Sequence, residues 1–146
     1  MTARIVPTNV QRFQRGSPVT TEDLLVAEEP LEIRLGHGPG HDRKETRLSV
    51  TMRTPGHDEE LALGFLFTEG IITDPDQLVR VEHCTHVKDE ERGNVVRAEL
   101  RPDVDVDPAA WQRNFYTTSS CGVCGKSSIE AVRVRCDKPL VPWGAL

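Results

Sequence analysis

The sequence predicts one domain of the mixed α/β (α+β) class, with helices packed on a mixed sheet. The chain has 146 residues, close to the usual length of a single domain. Its hydrophobic fraction of 37% suffices for a core and argues against general disorder. Along the chain, segments in which apolar and polar residues alternate are interrupted by segments of helical character. The predicted order is strands, helix, strands, helix.

Residues 1–22 are predicted to be a loosely ordered lead-in. They carry Pro7, Gly16 and Pro18 without a sustained hydrophobic period. Structure is therefore expected to begin near Asp23, and the domain to cover residues 23–146.

The next two elements are predicted to form a β-hairpin. Apolar and polar residues alternate over residues 31–35 and again over residues 48–53. This period of two is typical of a half-buried strand. Between the two segments, the glycine- and proline-rich run 36–40 breaks the first strand, so a long polar hairpin tip is expected.

A core helix is predicted from about Asp58 to Glu69. Acidic residues in its first turn favour the positive end of the helix dipole, and Gly70 provides a stop. Its second half is apolar all round, which predicts burial on more than one side. Two further strands are expected over residues 79–83 and 94–100, separated by a charged turn over 88–93.

The C-terminal part is predicted to contain a short helix, a strand and a second longer helix. Asp107 and Pro108 are typical of a helix start, and residues 115–118 favour a strand. Ile129 and the apolar residues that follow it predict the second helix. The alternating acidic residues 103, 105 and 107 are interpreted as a solvated edge strand or loop in preference to a carboxylate metal site.

Charge and hydropathy restrict the function classes. The formal net charge of −5 repels nucleic-acid phosphates and anionic lipids, which disfavours both kinds of partner. The longest apolar run, Leu61–Phe67, is far shorter than the roughly 20 residues that span a bilayer. No apolar leader follows Met1, so we expect a cytoplasmic location and four reduced cysteines.

The strongest chemical motif is Cys121-x-x-Cys124, where a predicted strand meets a predicted helix. Thiols in the first turn of a helix ionise more readily, and the thiolate is the nucleophilic form. The motif therefore favours nucleophilic sulfur chemistry, with Cys121 and Cys124 as candidate catalytic residues. Two cysteines in a tight turn without chemistry remain an alternative. Cys84 and Cys136 are expected to be packing residues.

A zinc site is a further alternative. His57-x-Glu59 together with Cys121-x-x-Cys124 nearly reproduces the pattern of zinc deaminases, in which histidine and two cysteines hold zinc and glutamate moves protons. Ser120 stands where that pattern has proline. The match suggests a deaminase-like fold with both motifs at neighbouring helix starts, and it leaves zinc binding open.

Four segments in order resemble the formate dehydrogenase accessory sulfurtransferase (FdhD) family. They cover residues 28–34, 52–66, 68–72 and 119–126, and the resemblance extends over about residues 24–130. It implies a cytidine-deaminase-like fold reused for sulfur transfer. By this resemblance, a cysteine desulfurase loads persulfide sulfur onto Cys121, and Cys124 relays the sulfur or resolves the persulfide into a disulfide.

The same resemblance implies the acceptor and the partners. The sulfur would pass to the molybdenum of the bis(molybdopterin guanine dinucleotide) cofactor before the cofactor enters formate dehydrogenase. Arg53 and Lys126 are candidate cofactor contacts, and we expect no metal bound directly by the protein. A homodimer is compatible with the sequence.

Members of this family continue well beyond the motif. The fold is therefore expected to be incomplete at its C-terminal end. A zinc-dependent deaminase and a non-catalytic interaction domain stay as alternative functions.

Overall fold

The computed structural model describes residues 4–107 and Ile129. This part contains six strands in two sheets and one α-helix, which confirms the predicted α+β class. The elements are β1 (Ile5–Gln14), β2 (Ser17–Val26), β3 (Glu29–His37), β4 (Lys44–Arg53), α1 (Asp58–Thr68), β5 (Leu78–His83) and β6 (Val95–Leu100), with 3₁₀ turns at Pro75–Gln77 and Asp89–Glu91.

The main sheet has four strands in the order β4-β3-β6-β5. The hairpin of β3 and β4 is antiparallel, as predicted, and β5 and β6 are also antiparallel. The two pairs are joined by the parallel alignment of β3 with β6, so the sheet is mixed. A register shift between Ile33 and Arg34 bends the β3–β4 pairing.

Helix α1 covers the first face of this sheet. It starts at Asp58, as predicted, and its Ala62 and Leu66 are fully buried. They pack in one cluster with the alternate residues of the central strands: Leu31, Ile33, Leu35, Val96, Ala98 and Leu100. The prediction of burial on several sides is wrong for Leu61 and Phe67, which are exposed because the sheet contacts only one side of the helix.

The second face of the sheet carries a smaller apolar cluster. Val50 of β4 and Val95 of β6 are fully buried there, and Ile129 packs against both. Ile129 has helical backbone conformation, as its position in a predicted helix requires. Both faces of the central strands are therefore covered, which is why every residue from Leu31 to His37 is buried.

The prediction of a loosely ordered lead-in is wrong for the residues described. Strands β1 and β2 pair along their whole length, and Asp23 lies inside β2. Arg15 and Gly16 form the turn, with φ angles of 50° and 84°. Two central residues with positive φ match the twist of a two-residue hairpin. The domain proposed over residues 23–146 stays a prediction.

The interpretation of the acidic residues 103, 105 and 107 is confirmed, because residues 101–107 form a loop. Asp74 caps the 3₁₀ turn that precedes β5. The helix expected after Asp107 and the strand expected over 115–118 lie outside the described residues. Within the described part, no helix is long and apolar enough to cross a membrane.

Candidate functional site

Both predicted catalytic cysteines, Cys121 and Cys124, lie outside the described residues, as do Lys126 and Cys136. Their roles stay predictions. The described residue nearest to the motif in sequence is Ile129, five positions after Cys124.

Ile129 is held by a buried carboxylate. Its backbone N–H donates to Oε2 of Glu32 over 3.2 Å, and the residue is only 3% exposed. A hydrogen bond from a backbone N–H to an ionised carboxylate is stronger than one between neutral groups.

Glu32 itself is fully buried in the middle of β3. Its Oε1 accepts a hydrogen bond from Nε of Arg34 at 2.6 Å, and Nε of Arg47 lies 3.5 Å away. A buried charge is costly unless it is paired and hydrogen-bonded, and here both carboxylate oxygens have partners.

Further ion pairs continue across this face of the sheet. Arg34 Nη1 lies 3.3 Å from Glu45, Arg97 Nη2 lies 2.9 Å from Glu99, and Arg43 bridges to Glu99 from the hairpin tip. Gly36 permits this arrangement, because a Cβ atom there would collide with the Glu99 carboxylate and lie 2.8 Å from Arg97 Nε. The face is therefore polar around the small apolar cluster at Ile129.

The other predicted motif, His57-x-Glu59, begins α1. The His57 ring is exposed, with Nδ1 3.5 Å from Oε1 of Glu60, and it makes no side-chain cap for the helix. Among residues 4–107 and Ile129, no cluster of three or more histidines, cysteines or acids is arranged to hold a metal ion. The cysteine half of the considered zinc site lies outside these residues.

Sequence reasoning missed the importance of Asp58. Arg53 Nε and Nη2 bind its carboxylate at 2.9 Å each, and both residues are buried. Arg53 Nη2 also donates to the Gly93 carbonyl and to Asn94 Oδ1. Arg53 is the residue that was expected to contact the cofactor, and two of its guanidinium nitrogens thus donate hydrogen bonds within the protein. Its role toward a cofactor stays a prediction.

A cavity of about 850 Å³ opens beside this pair. Charges of both signs line it, including Arg4, Glu59 and the 2.9 Å ion pair of Arg92 with Asp89. His83 also lines it, with Nε2 3.3 Å from Oδ2 of Asp58. The wall of the cavity therefore carries charged and hydrogen-bonding side chains, which suit a polar ligand.

Cys84 lies on the second face, next to the cluster of Ile129. It is half-buried, and burial raises the pKa of its thiol. A raised pKa leaves little nucleophilic thiolate at neutral pH. The structure agrees with its predicted role as a packing residue.

Comparison with known proteins places these features in a family context. The profile of the FdhD/NarQ family matches residues 26–143, a range that includes Glu32, Asp58, both motif cysteines and Ile129. Three curated relatives all carry the name sulfur carrier protein FdhD. The chain is 45% identical to the one from Streptomyces avermitilis over 126 residues, 43% to that of Streptomyces coelicolor over 133, and 34% to that of Corynebacterium efficiens over 145.

The alignments cover most of this chain but only part of each relative. They include 85%, 90% and 95% of the chain, against 42%, 44% and 48% of the respective relatives. The chain thus spans less than half the length of these proteins. No solved structure matches it significantly.

Proposed function

Because the chain belongs to the FdhD/NarQ family, we propose that it acts as a sulfur carrier that serves formate dehydrogenase. Its sulfur donor is a cysteine desulfurase, and its acceptor substrate is the bis(molybdopterin guanine dinucleotide) molybdenum cofactor. The observation that carries the proposal is the family match across the Cys-x-x-Cys segment, together with relatives at up to 45% identity that are named sulfur carriers.

The loading step is a thiol–persulfide exchange. The thiolate of Cys121 attacks the terminal sulfur of the desulfurase persulfide, the S–S bond of that persulfide breaks, and the desulfurase cysteine leaves as a thiolate. Cys121 then carries the sulfane sulfur as its own persulfide. The number of electrons does not change in this step, so no external reductant is required.

Delivery as sulfide requires two electrons. If Cys124 attacks the inner sulfur of the Cys121 persulfide, a disulfide forms and hydrosulfide leaves, with both electrons supplied by the two cysteines. If Cys124 instead relays the sulfane sulfur, the acceptor side supplies the electrons. Both roles for Cys124 belong to the proposal.

Mass spectrometry tests the loading step directly. The chain is incubated with a cysteine desulfurase and cysteine, and the added sulfur is mapped by peptide mass. We expect one additional sulfur, a gain of about 32 Da, on Cys121 in the wild type, and loss of that species in Cys121→Ala. Cys84→Ala serves as the matched control and retains loading, because its thiol is half-buried and outside the motif.

The result also separates the alternatives. Turnover of the desulfurase without sulfur on Cys121 or Cys124 would contradict the carrier proposal. About one zinc per chain, lost in His57→Ala, would favour a deaminase-like metal site. Partner binding that survives Cys121→Ala, without any loading of the wild type, would favour an interaction domain.

A further inference from the structure

One buried charge is not explained by the proposed sulfur transfer. Glu32 lies at the centre of a β-sheet with none of its surface exposed, a position that charged residues almost never occupy without specific partners. Its direct neighbours on the adjacent strands are Val50 of β4 and Val95 of β6. An apolar residue would complete this row with less desolvation cost.

The row of Val50, Glu32 and Val95 forms a socket for Ile129. The two valines pack against Ile129, while the carboxylate between them accepts a hydrogen bond from its backbone N–H. Nε of Arg34 donates to the other carboxylate oxygen, Oε1, over 2.6 Å. This bond fixes the orientation of Oε2, which accepts from Ile129. Ile129 is thus bound both by apolar packing and by a charged hydrogen bond across 97 positions of sequence.

The covalent chain links this socket to the motif. Ile129 follows Cys124 by five positions and Cys121 by eight. A fully extended chain covers at most about 3.6 Å per residue, which limits the Cα separations to about 18 and 29 Å. The position of Ile129 therefore sets an upper limit on its separation from the Cα atom of each motif cysteine.

We infer that Glu32 is a positioning residue, which anchors the segment that carries Cys-x-x-Cys to strand β3. It acts through the backbone N–H of Ile129. Its importance for sulfur loading rests on the proposed function, whereas the anchoring itself does not.

Two variants separate the hydrogen bond from the negative charge. Glu32→Ala removes the acceptor, and Glu32→Gln retains an acceptor oxygen of similar reach but removes the charge. Glu45→Ala is the matched control, because Glu45 also pairs with Arg34 whereas the acceptor of the Ile129 N–H is Glu32.

Hydrogen exchange at the Ile129 amide measures the anchoring. A hydrogen bond to a charged group corresponds to roughly 10- to 100-fold in an equilibrium constant, so we expect Glu32→Ala to accelerate exchange by that factor. Glu32→Gln is expected to restore most of the protection, and Glu45→Ala to leave exchange within about threefold. Unchanged exchange in a folded Glu32→Ala variant would overturn the inference.

A measurement on the wild type covers the case in which Glu32→Ala does not fold. Nuclear Overhauser contacts between the Ile129 amide proton and the Glu32 γ protons are expected, and their absence contradicts the anchoring. The sulfur-loading assay is then applied to the same variants, with Glu32→Ala expected to load Cys121 more slowly and Glu32→Gln to rescue it. Failure of wild-type loading would remove the proposed function and leave the exchange result standing.

Discussion

At the residue scale, the pairing of Arg53 with Asp58 connects three parts of the chain. The guanidinium joins the end of β4 to the first residue of α1 and also holds the turn at Gly93 and Asn94. Because both side chains are removed from water, each depends on the other for compensation of its charge. The pair therefore fixes where the helix begins relative to the sheet.

Asp58→Asn is expected to destabilise the protein by about 3–5 kcal/mol, because it removes the buried, hydrogen-bonded counter-charge of Arg53 and leaves only the Glu29 carboxylate at 3.6 Å. Urea unfolding monitored by circular dichroism measures the difference. The control is Asp89→Asn, which breaks the exposed pair with Arg92 and should cost less than about 1 kcal/mol. Equal losses in the two variants would contradict a special role for the buried pair.

A second residue-scale prediction concerns His37, which is 6% exposed and lies 2.9 Å from the Thr46 hydroxyl. Burial, followed by the nearby Arg43 and Lys44, lowers the pKa of this histidine. The unfolded chain therefore binds the proton more readily than the folded one. The stability contribution of His37 is present above the unfolded-state pKa of about 6.5 and is lost as the pH falls from there through the lowered folded-state pKa.

Urea unfolding at several pH values between 8 and 5 tests this dependence. His37→Gln should lose less stability than the wild type on acidification, because it removes one group that binds a proton on unfolding. His86→Gln, at an exposed position, is the matched control and should follow the wild type. A wild-type slope retained in His37→Gln would rule out this source of pH dependence.

At the element scale, the sequence predicted most strands and the helix of the main sheet. Strands β3 and β4 show clear alternation, and α1 has acidic residues at its start and a glycine after its end, so local signals sufficed. The same alternation predicted that β3 is half-buried, but Glu32 and Arg34 are buried as well. That burial depends on Ile129 and on strand neighbours remote in sequence, which no local period reveals.

The hairpin of β1 and β2 was missed for a related reason. Its turn uses Arg15 at positive φ, which is uncommon for a residue other than glycine, asparagine or aspartate. Its strands lack a buried face, so they show no sustained hydrophobic period. For the site, the spacing of Cys121 and Cys124 predicts sulfur chemistry, and that assignment stays a prediction. The socket at Ile129 required three strands to be aligned first.

At the scale of the whole molecule, the hairpin presents an apolar surface to solvent. Ile5, Phe13, Leu24 and Val26 are 54–74% exposed. The pairing register and the alternation of side chains place all four on the same face of the hairpin. Large apolar side chains exposed on one face in this way favour association with another protein surface.

We expect the chain to self-associate at concentrations of tens of micromolar. Sedimentation equilibrium should give an average mass above the 16.3 kDa of one chain. The double variant Phe13→Ser with Leu24→Ser should shift the average toward that value, and Val79→Ser, on the exposed side of β5, should not. A wild type that sediments as a single chain would contradict this expectation.

The parallel alignment of β3 with β6 also has a consequence for how the chain folds during synthesis. Glu32 pairs with Val95, about 60 residues later, whereas β4 follows β3 directly. At a synthesis rate of about 5–20 residues per second, the inner edge of β3 stays without its partner strand for about 3–12 s. Throughout that interval Ile129 has not yet been synthesised, so its N–H is not available to the Glu32 carboxylate. Water and Arg34 then balance the charge of this carboxylate.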